Sequence, residues 1–427
     1  MNTQSQTIVI GAGAVGLSVA LNVARRGDQV LIVDELPPAN GASYGNAGFL
    51  VADTAMPIAL PGMYKKVPSW LLDPEGPLRV RHSYLLKAMP FLFGWLRASN
   101  RQQVNASSEA MRKIHNGTFD EWRALVGEST YNALIRRTGQ VYIWEGAGHF
   151  PTPVEDDLRA NFGVEVKPLS RSDIADIYPG IAADVGRALL IPGNGHTVNP
   201  GRLCQAVLQE ALQAGARVAH ERVLRIWPDH DAGWNVMTSS GQVRKADKVI
   251  IAAGAASHEL LADLGIHVPL ESERGYHVVL PDASVQLAIP ILHKTGYFGL
   301  NSMDVGMRLA GTVELAGLRA SPDPLRCEVL IKKVRRLFPR IEHGAPKYWM
   351  GHRPSIPDSV PVIGPVPGLN GLYTCFGHGH CGLTAAPASA SLLAKQMFGE
   401  PVDFDTAPYS IKRFMRGPVK PKTFQAG

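Results

Sequence analysis

The sequence predicts an α/β protein in which a Rossmann-type nucleotide-binding domain is interleaved with a second, α+β domain. Two observations carry that expectation. A complete glycine fingerprint stands at the start of the chain, and segments of the same nucleotide-binding character recur in its middle and near its end.

The fingerprint comes first. An apolar run at 7–10 enters Gly11-Ala12-Gly13-Ala14-Val15-Gly16, a helical pattern follows over 17–26, and a second apolar run at 30–33 ends in Asp34-Glu35. Gly11 permits the tight turn, Gly13 lets the backbone approach a pyrophosphate, and Gly16 allows close packing of helix and strand. The helix N-terminus offers free N–H groups and the positive end of its dipole to phosphates. Asp34 or Glu35 stands where a ribose hydroxyl is gripped. Asp34 is the preferred choice because it directly ends the strand.

The next segments are less regular. The loop 41–48 is built of small residues, among them Ser43, Asn46, Ala47 and Gly48, which let the backbone press against a flat ring. Residues 55–97 mix Pro, Trp and basic side chains and read as broken, partly amphipathic helices, whereas 102–136 reads as continuous helix. A strand is expected at 139–144. Asn199 caps a helix that ends before Gly215, and 217–220 is a short strand. A hairpin starts at Val223, and the buried strand ending at Gly254 returns to the nucleotide site. Alternating β pattern with one helix at 324–337 fills 268–348. The chain closes with a strand at 372–376, the loop Gly377-His378-Gly379-His380-Cys381-Gly382-Leu383-Thr384 and a helix to 398.

Nucleotide-type pieces therefore sit in three places. The expected division is a discontinuous nucleotide domain at 1–55, 145–262 and 349–427, with a substrate-binding domain at 56–144 and 263–348. Such threading separates a flavin-type enzyme from a nicotinamide dehydrogenase, whose Rossmann unit is contiguous.

Bulk properties narrow the class further. The chain has 427 residues, 45% of them hydrophobic, with a net charge of +6, which suits a globular protein of two domains. Basic residues form no long run, so nucleic acid is not expected as a partner. The mild positive charge suits acidic substrates or an anionic membrane surface. The four cysteines are scattered, which argues against a disulfide framework or a metal site and for a reducing, cytoplasmic setting. Because the strand before Gly11 must be kept, no cleaved leader is expected. No apolar run is long enough to span a bilayer.

GAGAVG at 11–16, SYGNAG at 43–48, PGMYKK and WLLDPEGPL within 61–78, ERGYH at 273–277, GHRPSIPDSVPVIG at 351–364 and GHGHCGLT at 377–384 together resemble the D-amino-acid oxidase superfamily of FAD enzymes. The likeness is strongest to the D-amino-acid dehydrogenase small-subunit-like group and covers almost the whole chain. It implies bound FAD, a substrate domain with a curved sheet, and oxidation of an amine carbon beside a carboxylate, giving an imine that hydrolyses to a 2-oxo acid. Gly351 lies near the place where sarcosine-oxidase relatives carry a flavin-linking cysteine. No cysteine occurs between Cys327 and Cys375, so the FAD is expected to be non-covalent.

The resemblance also implies roles. Arg353 matches the arginine that grips the substrate carboxylate, a task suited to a two-pronged guanidinium. Gly377, Gly379, Gly382, Leu383 and Thr384 match the loop and helix start that face the flavin carbonyls, Val223 the strand edge at the adenine, and Gly254 a contact to the pyrophosphate. Tyr276 and His277 are expected to wall the substrate pocket, His277 being equally readable as structural. The carbonyl of His380 is expected to accept the substrate amine, and His378 to be structural. Arg274 and Lys294 are the alternative cations for the carboxylate.

Three rival readings stay open. The electron acceptor is either a quinone or dioxygen. The stretch 61–97, with Trp70, Phe91, Phe93 and Trp95, either docks on the inner face of a membrane or packs as part of the substrate domain. The substrate is a primary D-amino acid or a secondary amine such as a D-proline, N-methylglycine or iminodiacetate. A non-catalytic nucleotide-binding subunit is the alternative from another class, and a homo-oligomer is compatible with all of these.

Overall fold

The computed structural model describes residues 6–53, 55–146, 151–229, 232–415 and 417. Its first layer is a six-stranded sheet in the order Arg217–His220, Gln29–Asp34, Gln6–Ile10, Lys248–Ile251, Leu372–Phe376 and Val362–Pro365. The first five run parallel and the last is antiparallel. The central strands are continuous apolar runs because both faces are covered. Helices Ala14–Ala24 and Gly382–Phe398 pack on one face through Leu17, Leu21, Ala386 and Leu393. The meander Val223–Pro228, Trp234–Thr238 and Val243–Ala246 covers the other through Ile226, Trp234 and Val236.

Ile10 pairs with Val33 on one side and Ile251 on the other, and Ile251 pairs with Thr374. The carboxyl ends of four strands from distant parts of the sequence are thereby level. Their following loops meet at one edge, the usual ligand crevice of an open parallel sheet.

The second layer is a nine-stranded mixed sheet. Its path is Lys347–Ser355, Glu271–Leu280, Gly306–Leu315, Phe298–Met303, Ile291–His293, Gln140–Glu145, Val185–Ile191 and Lys167–Leu169, with Leu78–Val80 added beside Gly306–Leu315. Helix Leu325–Leu337 covers it, burying Leu330 and Val334 against Val278, Leu280 and Leu309.

Strand pairing departs from the expected segments in two places. Lys167–Leu169 and Val185–Ile191, grouped with the nucleotide segments, pair into the nine-stranded sheet through Gln140–Glu145. Lys347–Ser355 likewise pairs with Glu271–Leu280, so the carrier of Arg353 belongs to the large sheet. The helical stretch expected at 102–136 is three helices, Arg101–His115, Thr118–Val126 and Glu128–Leu134. The breaks fall at Gly117 and Gly127, with φ of +81° and +78°. These helices pack on the nucleotide layer, where Trp122 Nε1 donates to Leu383 O at 3.1 Å. Conversely, Leu85–Ala98 is one helix despite Pro90 and Gly94. No helix among the described residues is long and apolar enough to cross a membrane.

Candidate active site

The loops at the carboxyl edge of the six-stranded sheet open onto one cavity of about 1300 Å³, lined from Asp34 and Glu35 at one end to Arg353 and His380 at the other. The fingerprint shapes the first end by excluding side chains. A Cβ on Gly11 would stand 2.3 Å from Ala252 O, and one on Gly16 would stand 2.0 Å from Gly11 O. Gly16 thus packs helix on strand behind the cavity, while Gly13, Ala14 and Val15 line it. Ala14 N donates to Ser43 Oγ at 2.8 Å, joining the fingerprint to the small-residue loop. Asp34 accepts from Ala12 N at 2.6 Å and from Leu36 N at 2.8 Å. A carboxylate so held keeps acceptor capacity for a further partner. Glu35 is more exposed and lies 3.8 Å from Arg222, and Val223 and Gly254 line the same end.

The loop 43–48 is held from behind by the large sheet. Arg308 donates to Tyr44 O at 2.8 Å and to Asn46 O at 2.7 Å, Asn301 Nδ2 to Ala47 O at 3.0 Å, and His277 Nδ1 to Gly45 O at 3.0 Å. Asn46 and Ala47 line the cavity, whereas Gly48 packs against Thr197 O and Met303 behind it. The sequence pattern gives little warning of Arg308 and Asn301, which are two of several polar side chains buried within strands of mostly apolar and small residues. Burial lowers the Arg308 pKa to about 10.

At the far end Gly379, Gly382 and Leu383 line the cavity. Gly377 packs on Ile356, and Thr384 Oγ1 accepts from Val51 N at 3.1 Å, so these two support the loop rather than line it. His378 is buried and bonded to Ser389 Oγ at 3.0 Å, with burial pushing its imidazole down to about 3. A bridge between Ser355 and His378 ties this loop to the strand of Arg353.

Arg353 lies in the join between the layers. Its guanidinium donates to Thr312 O at 3.0 Å and, at 3.5 Å, to Gly311 O, leaving three of its five N–H donors uncommitted. Pro354 restricts Arg353 to extended backbone, in keeping with its strand. Burial lowers its pKa and the nearby Glu273, directly opposite on the paired strand, raises it. His380 faces the cavity with its imidazole 3.8 Å from Glu273. Although 42% of its side chain is open, that opening is to the cavity, and burial beside Arg353 pushes it down to about 3.

Several of the expected residues are committed to other partners. Tyr276 contributes to the cavity wall, but its hydroxyl is committed elsewhere, donating to Glu314 at 2.5 Å and accepting from Asp323 N at 2.9 Å. His277 stands outside the cavity lining and stacks on Trp349 at 4.8 Å while holding Gly45. Burial pushes its imidazole down to about 3. Arg274 is buried and bound to Glu314 at 3.0 Å, which removes it as a rival anchor. Lys294 lines the cavity but is paired with Glu155 at 2.8 Å. Trp70, Phe91 and Trp95 also turn into the cavity rather than outward, and Trp70 meets Tyr297 edge-on at 5.1 Å.

The model of the FAD dependent oxidoreductase family matches residues 6–396. A D-amino-acid oxidase of Bradyrhizobium diazoefficiens is 33% identical over 95% of this chain and 98% of its own length. D-amino acid dehydrogenase 2 of Ralstonia nicotianae is 30% identical over 96% of this chain and 100% of its own. Among solved structures, glycine oxidase from Geobacillus kaustophilus superposes with a TM-score of 0.69 at 22% identity, covering 97% of this chain and all of that one.

Proposed function

This chain belongs to the FAD dependent oxidoreductase family, and we propose that it oxidises a carboxylate-bearing amine, a D-amino acid or a secondary amino acid, to the imine. The observation that carries this reading is Arg353, a half-buried cation with uncommitted donors on the wall of a dinucleotide-sized cavity.

The residues present suit FAD. The glycine turn excludes side chains that would block a pyrophosphate, Asp34 holds acceptor capacity for a ribose hydroxyl, and Gly379, Gly382 and Leu383 border the opposite end. Bound there, FAD supplies the two-electron acceptor for the amine carbon. The chain's own part is orientation. Arg353 fixes the substrate carboxylate by a charge-assisted two-pronged pair, which fixes the neighbouring carbon. Trp70 and Tyr297 exclude water from that end of the cavity, and the low pKa of His380 keeps its imidazole neutral beside the substrate. Hydrolysis of the released imine gives the 2-oxo acid. With glycine at 351 and no cysteine between Cys327 and Cys375 in the sequence, FAD is held in this reading without the link that sarcosine-oxidase relatives make there.

A second reading concerns the acceptor. Leu71, Leu72, Leu85, Leu86 and Phe93 face outward from the helices whose other sides line the cavity, among exposed Lys65, Lys66 and Lys87. Apolar side chains ringed by lysine suit an anionic membrane surface and a quinone acceptor. Turnover with a quinone mimic but not with dioxygen supports this, and rapid turnover with dioxygen alone favours an oxidase.

The test of substrate class is anaerobic bleaching of the flavin by D-amino acids, D-prolines, N-methylglycine and iminodiacetate. A carboxylate-bearing amine should bleach it. Bleaching only by amines without a carboxylate contradicts the reading.

A further inference from the structure

Beside Arg353 stands a carboxylate that the anchoring role does not use. Glu273 lines the cavity, is 5% exposed, and its Oε2 makes no hydrogen bond. It is directly opposite Arg353 on the paired strand, so both side chains rise from the same face of the sheet. The Arg353 guanidinium leans away from it, over Gly275 and toward Thr312 O. No ion pair within 4.0 Å joins Glu273 to Arg353, and His380 Nε2 on the glycine loop stands 3.8 Å from Oε2. A buried carboxylate with a free oxygen is costly unless something with a proton to give comes to it.

We propose that Glu273 is the catalytic residue that meets the substrate nitrogen and takes its proton. This rests on the reading of the substrate as a carboxylate-bearing amine. A zwitterion held by Arg353 through its carboxylate carries its ammonium next to that carboxylate, and Glu273 is the acidic side chain opposite Arg353. The N–H bond breaks, an O–H bond forms on Oε2, and the electron pair stays on nitrogen, ready to form the C=N bond when the neighbouring carbon gives up its hydride, for which bound FAD would be the two-electron acceptor. The proton later leaves Glu273 for solvent through the cavity. His380, neutral at ordinary pH, stands 3.8 Å from the same oxygen, too far for a direct hydrogen bond.

The groups around Glu273 are consistent with a base. Burial raises its pKa, Arg353 and Ser355 on the neighbouring strand lower it, and the net direction is upward. His380 faces it from the glycine loop, and Glu271, bonded to the Tyr84 hydroxyl, stands two positions earlier on its own strand. A carboxyl raised toward neutrality is better matched to an ammonium proton than an ordinary one.

The test uses the FAD-loaded enzyme and a ligand pair differing only in the amine. 2-Aminoisobutyrate has no hydrogen on its central carbon and cannot be oxidised, and isobutyrate lacks the nitrogen. Each is titrated against wild type, Glu273→Gln and Glu273→Asp by its perturbation of the flavin spectrum. In Glu273→Gln the affinity for 2-aminoisobutyrate should fall about 10- to 100-fold while that for isobutyrate changes less than about threefold. Anaerobic reduction by a true substrate should slow by about 10²- to 10⁴-fold in Glu273→Gln and lose its rise with pH, with partial recovery in Glu273→Asp. Equal losses for both ligands would make Glu273 a support for Arg353 and overturn the proposal, as would an unchanged pH profile. If no carboxylate-bearing amine reduces the wild-type flavin, the substrate reading itself fails, and the proposal with it.

Discussion

The guanidinium of Arg353 lies over Gly275, with its Cζ 2.1 Å from where a Cβ on that residue would stand. The strand pairing of Glu271–Leu280 with Lys347–Ser355 brings the two together, and the missing side chain makes the slot in which the arginine lies. Gly275 is in this sense part of the anchor, although it carries no chemistry.

Gly275→Ala should therefore displace Arg353 without touching the nucleotide end. A displaced guanidinium loses part of a charged pair whose truncation costs about 2–5 kcal/mol, so substrate affinity should fall by roughly 10- to 100-fold. FAD content should stay normal, and KM measured at full FAD loading reads the effect. An unchanged KM would mean that Arg353 does not need the slot.

Asp34 fixes the glycine turn through Ala12 N, so Asp34→Ala removes a support and a ribose contact together. FAD affinity should drop by about 10- to 100-fold, read by fluorescence of released flavin. Glu35→Ala, at the exposed neighbour, should change it little. The reverse result would move the ribose contact to Glu35. Heat or acid should release FAD intact from the wild-type chain.

Acid should weaken the fold through its buried histidines. His277 and His378 are held near 3, well below the ordinary 6.5, because burial disfavours the charged ring. The unfolded chain takes up these protons as pH drops below 6.5 while the native one does not, so stability is lost progressively from there toward 3. Each ring accounts for on the order of 1–2 kcal/mol by pH 5. His378→Asn should flatten the fall in Tm between pH 6.5 and 5. A slope equal to wild type would show that His378 is protonated in the native state.

The parts of this fold legible in the sequence are those set by short-range rules. The turn at Gly11–Gly16, the Asn199 cap and the buried strand Lys248–Ile251 follow from local pattern, and the motifs carried Arg353. The parts that were not legible depend on partners far away in sequence. His277 reads as a pocket residue until Gly45 and Trp349 are placed against it. Tyr276 turns its hydroxyl to Glu314 on a strand whose register shifts between Arg274 and Tyr276, a shift that local alternation does not reveal. The recruitment of Val185–Ile191 into the large sheet likewise depends on Gln140–Glu145, 40 to 51 residues earlier by register. Glu273 was visible as a residue but not as a site, since its meaning lies in the arginine across the strand.

The most direct measurement is substrate binding to Arg353→Ala and Arg353→Lys, taken from anaerobic flavin reduction at matched FAD content. Truncating one partner of a partly dry charged pair costs about 2–5 kcal/mol. Arg353→Ala should accordingly bind the carboxylate-bearing amine about 10²- to 10³-fold more weakly, and Arg353→Lys should recover only part of that loss, because a point charge lacks the two-pronged geometry. Unchanged saturation and rate in Arg353→Ala would contradict the account and pass the anchoring role to another cation on the cavity wall, Lys294 first.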